Sequence, residues 1–167
     1  MIIRNSTIYN PEEVEKLVNF AMAGIYTDKV LVKVRNSKKA YHGVAHQYGK
    51  ITVNIGPPEC FPCTNMCSKI VKKKLNNETV YVKGEKVTSG WVQTTVMQPY
   101  GGPNSPFIQY NTWQEALVGV AAHEARHIYQ FQNKLFTNDD VGAEEDAEKY
   151  ALLRLNRFRA LGNKINL

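Results

Sequence analysis

Residues 118–131 read VGVAAHEARHIYQF, and the order His123-Glu124-Ala125-Arg126-His127 within them constrains this chain more than any other stretch. Residues four apart on an α-helix lie one above the other on the same face, so two histidines at that spacing can reach a single ion. Glu124, next to the first histidine, then stands beside the ion without having to bind it. A carboxylate in that place can take a proton from an attacking water. The surrounding sequence supplies the helix that the motif needs. Thr112 caps it, Glu115 completes a Thr-x-x-Glu capping box, and Leu117, Val120, Ala121, Glu124, His127, Ile128 and Phe131 mark one broad face. A charged Glu124 on that apolar face costs on the order of several kcal/mol unless it has a partner or a task. A zinc ion gives all three polar residues a reason to be there.

A hydrolytic zinc centre takes three protein ligands and leaves one position open. No histidine follows His127, so the third ligand must be a carboxylate from Asp139, Asp140, Glu144, Glu145, Asp146 or Glu148. Asp139 and Asp140 fit better as the first residues of a further helix, where the dipole favours them. On that helix Glu144, Ala147, Glu148 and Ala151 share one face. Its two alanines allow a close approach to the histidine helix with Glu144 turned toward the ion. Glu145 is the rival ligand if the register shifts by one residue. Glu148, one turn on, is placed to accept the ring N–H of a ligand histidine and so fix its orientation.

In HEARH (123–127) followed by EEDAE (144–148), the chain resembles the gluzincin metallopeptidases, whose His-Glu-x-x-His helix precedes one carrying Glu-x-x-x-Asp. Glu148 stands where that family usually has Asp or Asn. The stretch AEEDAEKYAL is similar to its counterpart in minimal cytosolic zincins, and the order of elements resembles the compact ImmA/IrrE-like and SprT-like domains. SprT-like proteins use a third histidine, which this sequence lacks. The motif likeness covers residues 112–155. It implies an α+β, zincin-like fold with an N-terminal helix, a small mostly antiparallel sheet, the histidine helix and a C-terminal glutamate helix. It also implies one catalytic zinc ion held by His123, His127 and Glu144, with Glu124 as general base.

The remaining segments frame this pair of helices. NPEEVEKLVNFAMAGI (10–25) reads as an amphipathic helix capped by Asn10, with Pro11 in its first turn. KVLVKVRN (29–36) and KITVNIG (50–56) read as strands, and ITVNI (51–55) is the expected sheet edge on which an extended substrate would pair. Residues 57–78 look irregular, 80–98 look like a hairpin and GGPNSP (101–106) is a loop. We therefore expect a single domain over 1–167, with 57–107 as an excursion.

That excursion holds all three cysteines, Cys60, Cys63 and Cys67, in CFPCTNMC. They fit a second, structural zinc site with His42 or His46 as fourth ligand, or reduced thiols; an odd number speaks against a disulfide framework. His42 and His46 read otherwise as ordinary polar residues of a strand region. Tyr110, Tyr129 and Arg126 are candidates for steadying an oxyanion.

The sequence contains no membrane-length apolar run and the N-terminus no signal-peptide core, so a cytoplasmic protein without a membrane partner is expected. The net charge of +6 is concentrated in KIVKKK (69–74) and RLNRFR (154–159) and permits nucleic-acid contact. The leading expectation is a zinc-dependent metallopeptidase acting on a peptide or protein. The alternative is a basic, zinc-stabilised module that binds nucleic acid or protein without turnover.

Overall fold

The computed structural model describes residues 1–162. The chain opens with β1 (Ile2–Ser6) and α1 (Pro11–Met22), followed by β2 (Leu31–Asn36), β3 (Tyr41–His46) and β4 (Lys50–Ile55). These strands form a sheet in the order β1-β2-β4-β3; β1, β2 and β4 run parallel and β3 runs antiparallel to β4. Next come β5 (Cys63–Thr64), β6 (Met66–Lys74), β7 (Val80–Val82), β8 (Glu85–Val87), β9 (Trp91–Pro99) and β10 (Gln109–Tyr110). Two long helices, α2 (Trp113–Gln132) and α3 (Asp140–Ala160), complete the described chain. Among the described residues the architecture is thus α+β, with three α-helices and small sheets in which most pairings are antiparallel, although the four-stranded sheet itself is mixed.

The helix boundaries follow local chemistry. Asn10 accepts from the N–H groups of Glu12 and Glu13 at the start of α1, and the expected apolar stripe Val14, Leu17, Val18, Ala21 and Met22 is buried. Thr112 Oγ1 accepts from Glu115 N at 3.2 Å and Asp139 Oδ1 from Gly142 N at 2.8 Å, capping α2 and α3. In the sheet, Val32 and Val34 of β2 and Ile51, Val53 and Ile55 of β4 point at the helices and are fully or almost fully buried. Each such side chain contributes about 1.5–3 kcal/mol. The α2 helix packs on α1, β3, β4 and α3 together, so it is the element around which the core is assembled.

Three expectations are corrected. First, ITVNI is not an edge: β4 lies between β2 and β3, and the free edge on that side is β3. The alternating Tyr41, Gly43 and Ala45 are small or amphipathic enough to half-bury while His42, Val44 and His46 face outward, so the segment pairs although its apolar pattern is weak. Second, residues 57–78 are not irregular throughout, because Met66–Lys74 is a nine-residue strand. Third, the hairpin expected over 80–98 closes early. Lys83 and Gly84, both at positive φ (51° and 83°), turn β7 into β8, and the Trp91–Pro99 arm pairs instead with β6 from Met66↔Pro99 to Lys74↔Trp91. Most of β6 is exposed, so no alternation of apolar and polar residues announces it as a strand. No helix among the described residues is long and apolar enough to cross a membrane.

One ion pair ties the start of α2 to the end of α3. Arg159 of α3 reaches Glu115 at 2.7 Å, and Glu115 also accepts from the Asn111 N–H at 2.8 Å, so its carboxylate closes a tertiary contact rather than the capping box. Burial pushes the Glu115 carboxyl up, but hydrogen bonds from Arg159 and Asn111 outweigh it and hold the group below its usual value. Its stabilising effect is therefore present above the unfolded-state value of about 4.3 and is lost as pH falls through the lower folded-state value. We expect Glu115→Gln to be less stable than the parent by roughly 3 kcal/mol at pH 7, with the gap shrinking toward pH 3, in urea unfolding curves recorded at both pH values.

Candidate metal centre

Helix geometry places His123 and His127 one turn apart on α2, and their Nε2 atoms lie 3.1 Å from each other. The Glu144 carboxylate on α3 comes within 3.2 Å of His123 Nε2 and 3.3 Å of His127 Nε2. Among the described residues, His123, His127 and Glu144 are the group of His, Cys, Asp and Glu side chains whose ligand atoms converge within 4.8 Å, and together they could hold a metal ion. Ala147 and Ala151 are fully buried on the face of α3 that also carries Glu144, and this absence of bulk lets α3 approach α2. The α3 carboxylate that converges on the histidines is thus Glu144. The neighbouring Glu145 points away, toward the loop at Gly102, and its Oε1 is buried without a hydrogen-bond partner.

The second nitrogen of each imidazole decides what the first can do. His127 Nδ1 lies 2.8 Å from Gln130 Oε1. The other end of the Gln130 amide is 2.9 Å from the Ala143 carbonyl and 2.8 Å from Asp146 Oδ2, so that end must be the donating NH2 and the end facing His127 must be the accepting oxygen. His127 Nδ1 therefore carries a proton, and Nε2 faces the centre, offering a lone pair in the neutral ring and an N–H to Glu144 in the charged one. Asp146 is itself fixed by a two-pronged ion pair with Arg126 at 2.7 and 3.1 Å. On the other ring, Glu148 Oε1 lies 3.8 Å from His123 Nδ1, the atom expected for it, though longer than a hydrogen bond. Asn65 donates to Glu148 Oε2 at 3.3 Å and holds that buried carboxylate in place. Two imidazole nitrogens converging beside a carboxylate form a donor set that suits a divalent cation such as zinc.

Glu124 is buried against β3, with only 6% of its surface exposed. The Ala45 N–H donates to it. A side chain at Gly43 would run into the Glu124 carboxylate and Val120, so the missing Cβ of Gly43 is the space the carboxylate occupies. Burial raises the Glu124 carboxyl above its usual value despite the two nearby imidazoles. Hydrogen bonding to His123 and His127 instead holds Glu144 well below the usual carboxylate range. Burial lowers His127, but hydrogen bonds to Glu144 and Gln130 more than offset this, and the net direction is upward. Burial also raises Glu148.

These groups line a cavity of about 550 Å³, bounded by the β3 edge (Tyr41 to Ala45), by Phe131, Leu135 and Phe136 beyond the histidine turn, and by Tyr100 and Tyr110. Of the three oxyanion candidates only Tyr110 lines it; Arg126 is committed to Asp146 and lies over the Tyr129 ring at 4.5 Å. Tyr100, exposed at the rim, was not singled out by the sequence because it sits in a loop with no pattern. Gln130, Asn65 and Gly43 were equally silent, since each matters only through contacts made across the fold. Cys60, Cys63 and Cys67 are free and half-buried, and the structural zinc site expected for them does not assemble among the described residues. Cys60 closes a short 3-10 turn, Cys63 belongs to β5 and Cys67 to β6, and their sulfurs do not form a ligand group. His42 and His46 are exposed on the outer face of β3.

Compared with family models, curated proteins and solved structures, the chain matches none of them.

A zinc titration against a chromophoric chelator distinguishes the roles. Glu145→Ala should leave affinity unchanged, and Gln130→Leu should weaken it roughly 10- to 100-fold, the usual cost of losing a partner that orients a ligand. Glu144→Ala should weaken it more than Gln130→Leu does; unchanged affinity in Glu144→Ala would exclude it as a ligand.

Proposed function

We propose that this chain is a zinc-dependent metallopeptidase in which His123, His127 and Glu144 hold the ion and Glu124 is the general base. The observation that carries this reading is the juxtaposition of the converging His123, His127 and Glu144 ligand atoms with the buried Glu124 carboxylate on one wall of an open cavity. Zinc, when bound by two neutral imidazoles and a carboxylate, would polarise a peptide carbonyl and acidify water.

The chain's own residues supply the rest. Glu124 receives the proton of the attacking water on a carboxylate oxygen and passes it to the nitrogen of the departing amine. Its burial and its contact with the Ala45 N–H restrict the carboxylate to one position, and its raised affinity for a proton suits that shuttle. Gln130 orients the His127 imidazole, and Glu148 sets a negative charge 3.8 Å from His123 Nδ1. Among the described residues no strand covers the outer edge of β3, which borders the cavity and, apart from the Ala45 N–H held by Glu124, offers backbone donors and acceptors to an extended peptide. A peptide added there as a further strand would bring its backbone past Gly43, where no side chain separates it from Glu124. Substrate pairing thus belongs to β3, not to β4 as the sequence pattern implied. A purely structural metal site would have no need of a carboxylate buried beside its ligands, and this favours turnover over a binding module.

Glu124→Gln keeps size and hydrogen-bonding capacity but cannot shuttle the proton. Its cleavage of unfolded protein or peptide libraries should fall by at least about 100-fold, the lower range for loss of a general base, while zinc content stays at the parent level. Cleavage that persists at the parent rate, or that survives removal of zinc, contradicts the assignment.

A further inference from the structure

The four strands from β6 to β9 build an arm whose chemistry the proposed peptidase centre does not use. In the antiparallel pair β6–β9, directly opposed residues point to the same side. One side therefore carries Ser68, Ile70, Lys72 and Lys74 from β6 with Met97, Thr95, Gln93 and Trp91 from β9. All eight are exposed, Ile70 at 69%, Trp91 at 67% and Met97 at 61%. The opposite side is the one that shelters its residues, with Val92 buried and Val71, Thr94 and Val96 half-buried.

Residues 66–99 hold six lysines against Glu78 and Glu85, a net of four positive charges out of the chain's six. Only Lys73, on the sheltered side, is ion-paired there, to Glu78 at 2.6 Å; among the described residues Lys72 and Lys74 make no ion pair. Lys74 stands opposite Trp91 and Lys72 opposite Gln93, and Lys72, Trp91, Val92 and Gln93 line a shallow concavity of about 490 Å³.

We propose that this face of the β6–β9 arm binds single-stranded nucleic acid, with Trp91 stacking on a base and Lys72 and Lys74 contacting phosphates. An exposed indole beside two ammonium groups of the neighbouring strand meets both needs of such a ligand, a planar partner for the base and cations for the backbone. Lysines alone would suit any polyanion; the large exposed ring beside Gln93 is what favours unpaired bases. The site lies on a different surface from the metal centre and stands or falls independently of peptidase activity.

Trp91 can report on its own occupancy. The other tryptophan, Trp113, is stacked on Tyr9 with ring centroids 3.8 Å apart, so the full-length Trp113→Phe variant leaves Trp91 as the sole indole emitter. Titrating it with a 20-nucleotide thymidine oligomer should quench the emission. Trp91→Ala, followed by anisotropy of a labelled oligomer, should bind about tenfold or more weakly, matching the loss of one stacked base. Lys72→Ala/Lys74→Ala should lower the slope of log affinity against log salt by about 1.4, the share of two phosphate contacts on a single strand. Because all three positions are exposed, unchanged thermal unfolding should accompany these losses. The proposal is overturned by absent quenching, by equal oligomer affinity in parent and variants, or by tighter binding to a 20-base-pair duplex, to polyglutamate or to phosphatidylserine vesicles than to the oligomer.

Discussion

His123 Nε2 and His127 Nε2 face each other at 3.1 Å with the Glu144 carboxylate within 3.3 Å of both, and three such acceptors stay together only with a cation or a proton among them. Gln130 fixes how the His127 ring is turned toward that centre. Gln130 can only accept from His127 because both of its amide hydrogens are committed to Ala143 and Asp146. Glu144 adds a negative charge on the open side, within 3.3 Å of His127 Nε2. The hydrogen bonds that depress the Glu144 carboxyl express the same fact in electrostatic terms: this centre favours positive charge at its middle.

The fold serves that constraint by making α2 the common neighbour of the other core elements. Its buried first half, Glu115 to Ala122, is gripped by α1 and the sheet, and this fixes the azimuth at which His123 and His127 emerge. Small residues then bring partners close. Ala147 and Ala151 let α3 approach, Gly43 gives Glu124 its place against the edge strand, and Gly101 lies where a side chain would strike Glu148. Asn65 ties these parts together: it hydrogen-bonds Glu148, and its backbone pairs with Tyr100 and Ile108. The arm thus begins and ends beside the residues that support the centre, while Lys74 and Trp91 lie at its far end.

The helical half of this account was legible in the sequence because its signals are local. The i, i+4 histidines, the Asn10 and Thr112 caps and the Val14 to Met22 stripe need only helix periodicity, and the structure carries each of them. Glu144 could be told from Glu145 only to within a residue, since its aim depends on where α3 starts; the Asp139 cap sets that start. What failed was non-local. The pairing of β6 with β9 spans two other strands, and lysine-rich strands exposed on one side show no alternation to betray them. The demotion of Ile51–Ile55 from edge to interior rests on β3, whose Gly43 and Ala45 look unlike strand residues until Glu124 and α2 are seen against them. The residues that orient the imidazoles act through single contacts across the fold, which no periodicity encodes.

The central claim is that His123, His127 and Glu144 form one metal centre. Anomalous diffraction at the zinc edge, from crystals of the full chain grown with zinc, tests it directly. The account predicts a single peak about 2.0–2.2 Å from His123 Nε2, His127 Nε2 and a Glu144 carboxylate oxygen. No peak there, or zinc held at Cys60, Cys63 and Cys67 while the two imidazoles remain without an ion, would contradict it.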